Sequence, residues 1–158
     1  ELGGYPWGAV VLRSDVLRKQ LQGRALAERL PPESYTAEAS RQTYAALLDA
    51  AEHLLRSGNS VVVDAVFGRM DERVAAAAVA KICGVAFSGL WLEAPREVLV
   101  RRVDARRGDA SDATAAVVHW QLEHLQSLSE AEHAWSVVDA AGDRTATQAR
   151  ARAALPAG

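Results

Sequence analysis

Three short stretches of the chain combine residue types able to do chemistry with the spacing that chemistry needs. Arg13-Ser14-Asp15 closes a short apolar run, and Arg18 follows one helical turn later. A carboxylate leaving a strand end can accept a hydrogen bond from a substrate hydroxyl and act as its general base. An arginine one turn on can grip an anion with its planar fork. The same four residues also suit a plain helix start, with Ser14 or Asp15 as cap and a solvated arginine. In the second stretch, Val61-Val62-Val63 leads into Asp64. A buried strand ending in Asp can hold magnesium, through water, beside a nucleotide, although many strands simply end this way. The third stretch, Pro95 to Gly108, reads P-R-E-V-L-V-R-R-V-D-A-R-R-G. Arg102 and Arg106 are four apart, on one helical face that runs into a polar, glycine-containing loop. Such a pair suits a lid that neutralises charge on a phosphoryl group. The alternative is a solvated amphipathic face, which would ordinarily mix in lysine.

The other reactive residue types add little. His53 lies beside the apolar stripe of a long predicted helix, and His133 precedes the last predicted strand. His119 and His124 are five apart, off a shared helical face. There is no H-E-x-x-H and no ligand pair at metal spacing, so a histidine metal site is not expected. Cys83, at a predicted helix end, reads as a small buried apolar residue. Trp91 and Trp120 read as core, and Trp7 and Trp135 flank strands.

The elements that must position these residues follow from apolar runs and breakers. Ala9 to Leu12 reads as a buried strand and Val16 to Leu21 as a short helix closed near Gly23. Pro31 and Pro32 mark a loop. Thr36 can cap a long helix that ends at Gly58, with Tyr44, Leu47, Leu48, Ala51, Leu54 and Leu55 on its apolar face. Ser60 to Asp64 is a second strand, Glu72 to Cys83 a helix capped by Asp71, and Val85 to Leu92 a third strand. Pro95 opens a helix to about Arg107. Asp112 can cap another through about Leu128. Ser136 to Asp139 is a fourth strand and Thr145 to Leu155 a last helix. Apolar strands alternating with helices predict an α/β fold with a parallel sheet. Ligands of such sheets bind beyond the carboxyl ends of the strands. Asp15, Asp64, Glu93 and Asp139 stand at those ends. The plainer view is that Asp stops strands and caps helices.

Composition sets the outer bounds. The 158 residues are 49% hydrophobic and 24% charged, which predicts one globular domain, residues 1–158, and excludes a disordered or collagen-like chain. The net charge of −2 argues against a nucleic-acid-binding polycation. No apolar run reaches the roughly 18 residues of a membrane span. A single cysteine excludes an intrachain disulfide, and a cytoplasmic location is expected.

Together the stretches GAVVLRSDVLRKQL, YTAEASRQTYAALLDAAEHLLRSGNSVVVDAVF and GLWLEAPREVLVRRVDARRGDASDA resemble the P-loop kinase group. Within it they are most similar to small kinases described as AAA-family ATPases, which often occur fused behind an aminoglycoside-phosphotransferase-like domain. The resemblance runs from Gly8 to Asp139. It implies a three-layer αβα P-loop NTPase-like sheet and an ATP- and magnesium-dependent phosphotransferase for a small hydroxylated acceptor. By that resemblance Asp15 is catalytic, Arg13, Ser14 and Arg18 face the acceptor, and Asp64 takes the Walker B role at nucleotide and magnesium. Arg102 and Arg106 become lid arginines in a lid at about 101–113, ordered by Asp109 and Asp112. One element of the pattern is missing: no G-x-x-x-x-G-K-[ST] occurs, and the only lysines, Lys19 and Lys81, fall in predicted helices. The expectation is therefore a domain cut short at its N-terminus, without its first central strand, P-loop and first helix. Such a chain would bind neither ATP nor Mg2+ and would be inactive alone. Its unpaired sheet edges would be open to self-association. A non-catalytic α/β interaction module that has lost nucleotide binding is the alternative. A nucleic-acid 5′-end kinase is a third reading, disfavoured by the acidic balance.

Overall fold

A computed structural model of the chain describes residues 8–105 and 111–156. Strands and helices alternate along them as the apolar runs predict. In order they are β1 (Ala9–Arg13), α1 (Ser14–Leu21), a 3-10 turn (Pro32–Tyr35), α2 (Ala37–Arg56), β2 (Ser60–Asp64) and α3 (Met70–Cys83). Then follow β3 (Gly89–Glu93), α4 (Arg96–Ala105), α5 (Ala115–His124), β4 (Trp135–Asp139) and α6 (Arg144–Ala154). All pairing among the described residues is parallel. β1 lies beside β2, Ala9 opposite Ser60 through Arg13 opposite Asp64. β3 lies beside β4, Gly89 opposite Trp135 through Glu93 opposite Asp139. Parallel neighbours need long crossovers, and helices supply them: α1 and α2 for the first pair, α4 and α5 for the second. The strands thus form two two-stranded sheets, and each strand keeps one edge free of pairing among the described residues.

The described residues gather into two compact units. The first holds β1, α1, the 3-10 turn, α2, β2, α3 from Asp71, and Ser111 and Asp112. The second holds Gly68–Met70, β3, α4, α5, β4 and α6. In the first unit α2 presents Leu47 and Ala51 inward, and α3 presents Ala76 and Ala80; all four are buried. Thr36 caps α2 as expected, its hydroxyl accepting the Ala39 amide at 3.2 Å. In the second unit Val118, Val138 and Ala140 are the buried apolar residues.

Two elements differ from their sequence-based bounds by more than two residues, and one aromatic residue from its expected burial, each for a visible reason. β3 begins at Gly89 and not Val85. The Val85 amide closes α3 by bonding the Ala80 carbonyl at 3.0 Å, with Gly84 at a φ of +68° just before it. α5 starts at Ala115 under a Thr114 cap, because the carboxylate of Asp112 is used elsewhere. It ends at His124 because Gln126 turns away: its amide donates to the Gly68 carbonyl at 2.8 Å, and its side-chain oxygen accepts the Met70 amide at 2.7 Å. Trp120 is not core. It is 59% exposed and stacks on His124, with ring centroids 4.5 Å apart.

One residue beyond β2 is held against its own preference. Phe67 has a φ of +48°, in the left-handed region that a bulky side chain avoids. Such a conformation costs on the order of 1–3 kcal/mol and lasts only where neighbours over-determine it. Here the Tyr44 hydroxyl accepts the Phe67 amide at 2.9 Å, and the Tyr44 ring packs edge-on against the Phe67 ring. The Phe67 carbonyl accepts an N–H at 3.0 Å from Arg73, whose side chain is fully buried. Removing the Tyr44 hydroxyl strands the Phe67 amide, so Tyr44→Phe should cost about 1–3 kcal/mol. Urea unfolding together with hydrogen exchange at the Phe67 amide is the check: the midpoint falls and the amide exchanges faster. An unchanged midpoint would mean that other contacts hold the turn.

Candidate functional site

The register of β1 and β2 sets Arg13 directly beside Asp64 at the carboxyl end of the pair. Arg13 Nε donates to Asp64 Oδ2 at 3.1 Å. The residue expected to face the acceptor and the one expected to serve magnesium are thus brought together as an ion pair. The Asp64 side chain is 62% exposed, so the pair adds little stability. In the second unit Glu93 and Asp139 meet in the same way at the strand ends. Both are taken up locally. Asp139 accepts the Ala141 amide at 2.8 Å and pairs with Arg150 at 3.3 Å, while Glu93 accepts the Trp91 indole N–H at 3.0 Å.

Asp15 differs from these three. α1 begins at Ser14 straight out of β1, with Arg13 at the cap position and no side-chain cap, so neither Ser14 nor Asp15 is spent on capping. Asp15 is half-buried in the first turn and makes no hydrogen bond or ion pair among the described residues. Arg18, one turn on, is only 8% exposed. It donates to the Ser34 carbonyl at 2.9 Å, and its guanidinium lies 5.1 Å from the centre of the Tyr35 ring. One arm of the expected anion fork is therefore committed to holding the 3-10 turn.

The densest polar cluster lies next to these residues, around Asp112. Lys19, 1% exposed, donates to Asp112 Oδ1 at 3.1 Å and to the Leu26 carbonyl at 3.0 Å. Asp112 Oδ2 accepts the Leu30 amide at 3.0 Å and the Tyr35 hydroxyl at 2.7 Å. Burial alone would raise the Asp112 pKa, but the Leu30 amide, the Tyr35 hydroxyl and Lys19 outweigh it and hold the carboxyl below its usual range. The Tyr35 hydroxyl moves the other way. Burial first, then its bond to Asp112 and the charges of Asp112 and Asp15, push it well above the ordinary phenol range, against Arg18.

Sequence reasoning reaches Asp112 only as a lid or cap residue and misses Lys19. No local pattern links positions 93 residues apart. The one available hint is the scarcity of lysine, since a chain with two lysines that places one beside a probable site invites a question about its partner.

In the second unit Arg102 donates to the Gly142 carbonyl beyond β4. Arg101 lies on an open cleft of about 650 Å³ with Arg96, Val100 and His119. Arg106 and Asp109 lie outside the described residues. Among the described residues no group of three or more His, Cys, Asp or Glu side chains could hold a metal ion, and no helix is long and apolar enough to cross a membrane.

Residues 3–128 match a family described as an AAA domain. The chain belongs to that family. Its α/β fold with parallel strands is shared with solved kinase structures. A gluconokinase from Sinorhizobium meliloti is 22% identical, with a TM-score of 0.55 over 94% of this chain and 80% of that one. A tunicamycin resistance protein from Deinococcus radiodurans is 18% identical, with a TM-score of 0.54 over 94% and 84%. A Chloroflexus aurantiacus protein described as a kinase is 17% identical, with a TM-score of 0.59 over 94% and 85%. At these identities the likeness is one of fold. No curated protein matches.

The Asp112 cluster yields a pH prediction. Its carboxyl is depressed in the folded state, so the stability it adds is present above the ordinary carboxylate range. That stability is lost as pH falls through the folded value, below the ordinary carboxylate value. Asp112→Asn leaves the Lys19 ammonium buried without its counter-charge and should cost about 3–5 kcal/mol at neutral pH. The same substitution should flatten the acid limb. Thermal melts of both proteins from pH 7 to pH 2 test this, and parallel acid limbs would contradict it.

Proposed function

We propose that the chain forms the acceptor side and lid helix of an ATP-dependent phosphotransferase for a small hydroxylated molecule, working in the cytoplasm. The observation that carries this reading is Asp15. It lies in the first turn of α1, just past β1, and makes no hydrogen bond or ion pair among the described residues, in a chain whose family match spans residues 3–128. ATP with magnesium would supply the transferring phosphoryl group.

The residues present fit those two partners unequally. Asp64 is exposed and gives one oxygen to Arg13, leaving the other for a magnesium ion that keeps most of its water. For the phosphates the 158 residues contain no G-x-x-x-x-G-K-[ST] cradle, so no step is drawn through the nucleotide. On the acceptor side the roles are simple. Asp15 accepts a hydrogen bond from the acceptor hydroxyl and orients its oxygen. As a base it would take the proton of that hydroxyl. Arg102 must leave the Gly142 carbonyl to reach a phosphoryl group. The second reading, a non-catalytic interaction module, draws on the missing cradle and on apolar strand residues exposed in both sheets, Val11, Leu92 and Val137.

Two measurements separate the readings. Titration calorimetry of this chain with magnesium-ATP should show no low-micromolar binding, because the cradle supplies most phosphate donors. A low-micromolar Kd would contradict the assignment of nucleotide binding to that loop. In a longer form bearing such a loop ahead of β1, Asp15→Ala should abolish phosphoryl transfer and leave ATP affinity nearly intact. Arg102→Ala should lower turnover by roughly 10³-fold with a smaller change in KM for ATP. A form with the loop that binds ATP but phosphorylates nothing would favour the interaction module.

A further inference from the structure

We infer that the acceptor is a neutral or amine-bearing hydroxyl compound and not an acid, because the surface formed by Asp15 and Tyr35 offers oxygens that accept hydrogen bonds while every nearby described cation is turned to a protein partner. The inference rests on the kinase reading and narrows its substrate class.

Asp15 brings a negative charge that no described group neutralises directly. Tyr35, 43% exposed, packs its ring on Arg18, one turn further along α1 from Asp15. Its hydroxyl proton is given to Asp112, so toward a ligand the phenol oxygen presents lone pairs only. The Asp15 charge is felt at that hydroxyl and helps to hold its proton. One face of the Tyr35 ring rests on the Arg18 guanidinium, and the exposed remainder can pack against the C–H face of a polyol or ring. Ser14 adds a hydroxyl of either sense.

Among the described residues the nearby cations are turned toward the protein. Arg13 pairs with Asp64, Arg18 lies buried under the ring and donates to Ser34, and Lys19 is buried on Asp112. An acid placed here would meet Asp15 directly, with the Arg18 charge reaching it only from beneath the Tyr35 ring. A hydroxyl or ammonium would meet acceptors. A hydrogen bond to a charged group is worth enough to separate the two by roughly tenfold or more in affinity.

The test uses this chain and three six-carbon probes of nearly equal size: D-gluconate, D-glucitol and D-glucamine, which are anionic, neutral and cationic at pH 7. Amide chemical shifts at Asp15 and Tyr35 are followed by NMR. The expected order is glucamine, then glucitol, then gluconate, with glucamine roughly tenfold or more tighter than gluconate. Asp15→Asn should erase the advantage of glucamine over glucitol and change glucitol affinity little. The order on the unaltered chain decides the matter even if the variant fails to fold. Gluconate binding as tightly as glucamine, with shifts at Asp15 and Tyr35, would overturn the charge assignment and leave the acceptor site standing. No shift at either residue with any probe would overturn both the assignment and the placing of the acceptor there.

Discussion

A buried ammonium facing a buried carboxylate, Lys19 against Asp112, is the constraint on which the rest of the first unit hangs. Removing two charges from water is expensive, and their attraction offsets that cost only if the remaining donors and acceptors are also satisfied. They are. The Leu26 carbonyl completes Lys19, and the Leu30 amide and Tyr35 hydroxyl complete Asp112. Leu26 and Leu30 come from the irregular stretch between α1 and the 3-10 turn, and Tyr35 ends that turn, so satisfying the charges fixes the path of the stretch. Arg18 adds a second fastening through Ser34, and the Ser34 hydroxyl reaches back to Gln22 at 2.6 Å. A segment with little regular structure thereby acquires a defined shape.

That shape explains why the candidate site looks as it does. The cations one would assign to an anionic ligand are spent on the scaffold, and the residue left over is Asp15. The strand ends show the same division of labour. Asp139 and Glu93 serve their own turns and Asp64 shares its charge with Arg13, while Asp15 makes no hydrogen bond or ion pair among the described residues. Beyond β2, the left-handed Phe67 is clamped by Tyr44 and Arg73, so the segment leaving Asp64 is also fixed.

What was legible in the sequence was local. The bounds of β2, the Thr36 cap, the apolar face of α2 and the parallel α/β class all follow from runs, breakers and spacing within about twenty residues. The strand-end position of Asp64 was legible for the same reason, whereas Asp15, expected at a strand end, falls in the first turn of α1. The fate of Arg18 was not, since a short helix does not reveal whether its arginine meets solvent or the underside of a tyrosine. Lys19 and Asp112 were beyond reach because their meeting is decided by tertiary packing. α5 shows the two levels in conflict: Asp112 has the right type and place for a cap, but its carboxylate is drawn to Lys19 and Thr114 takes the cap instead.

The Lys19–Asp112 pair also has a meaning in time. The two residues are 93 positions apart. At a synthesis rate of roughly 5–20 residues per second, Asp112 is made some 5–20 seconds after Lys19. During that interval the helix that carries Lys19, and the stretch that will wrap around it, exist without the carboxylate that makes their packing affordable. The first unit cannot be completed as its residues emerge from the ribosome. It waits for a residue encoded after the whole of β3 and α4.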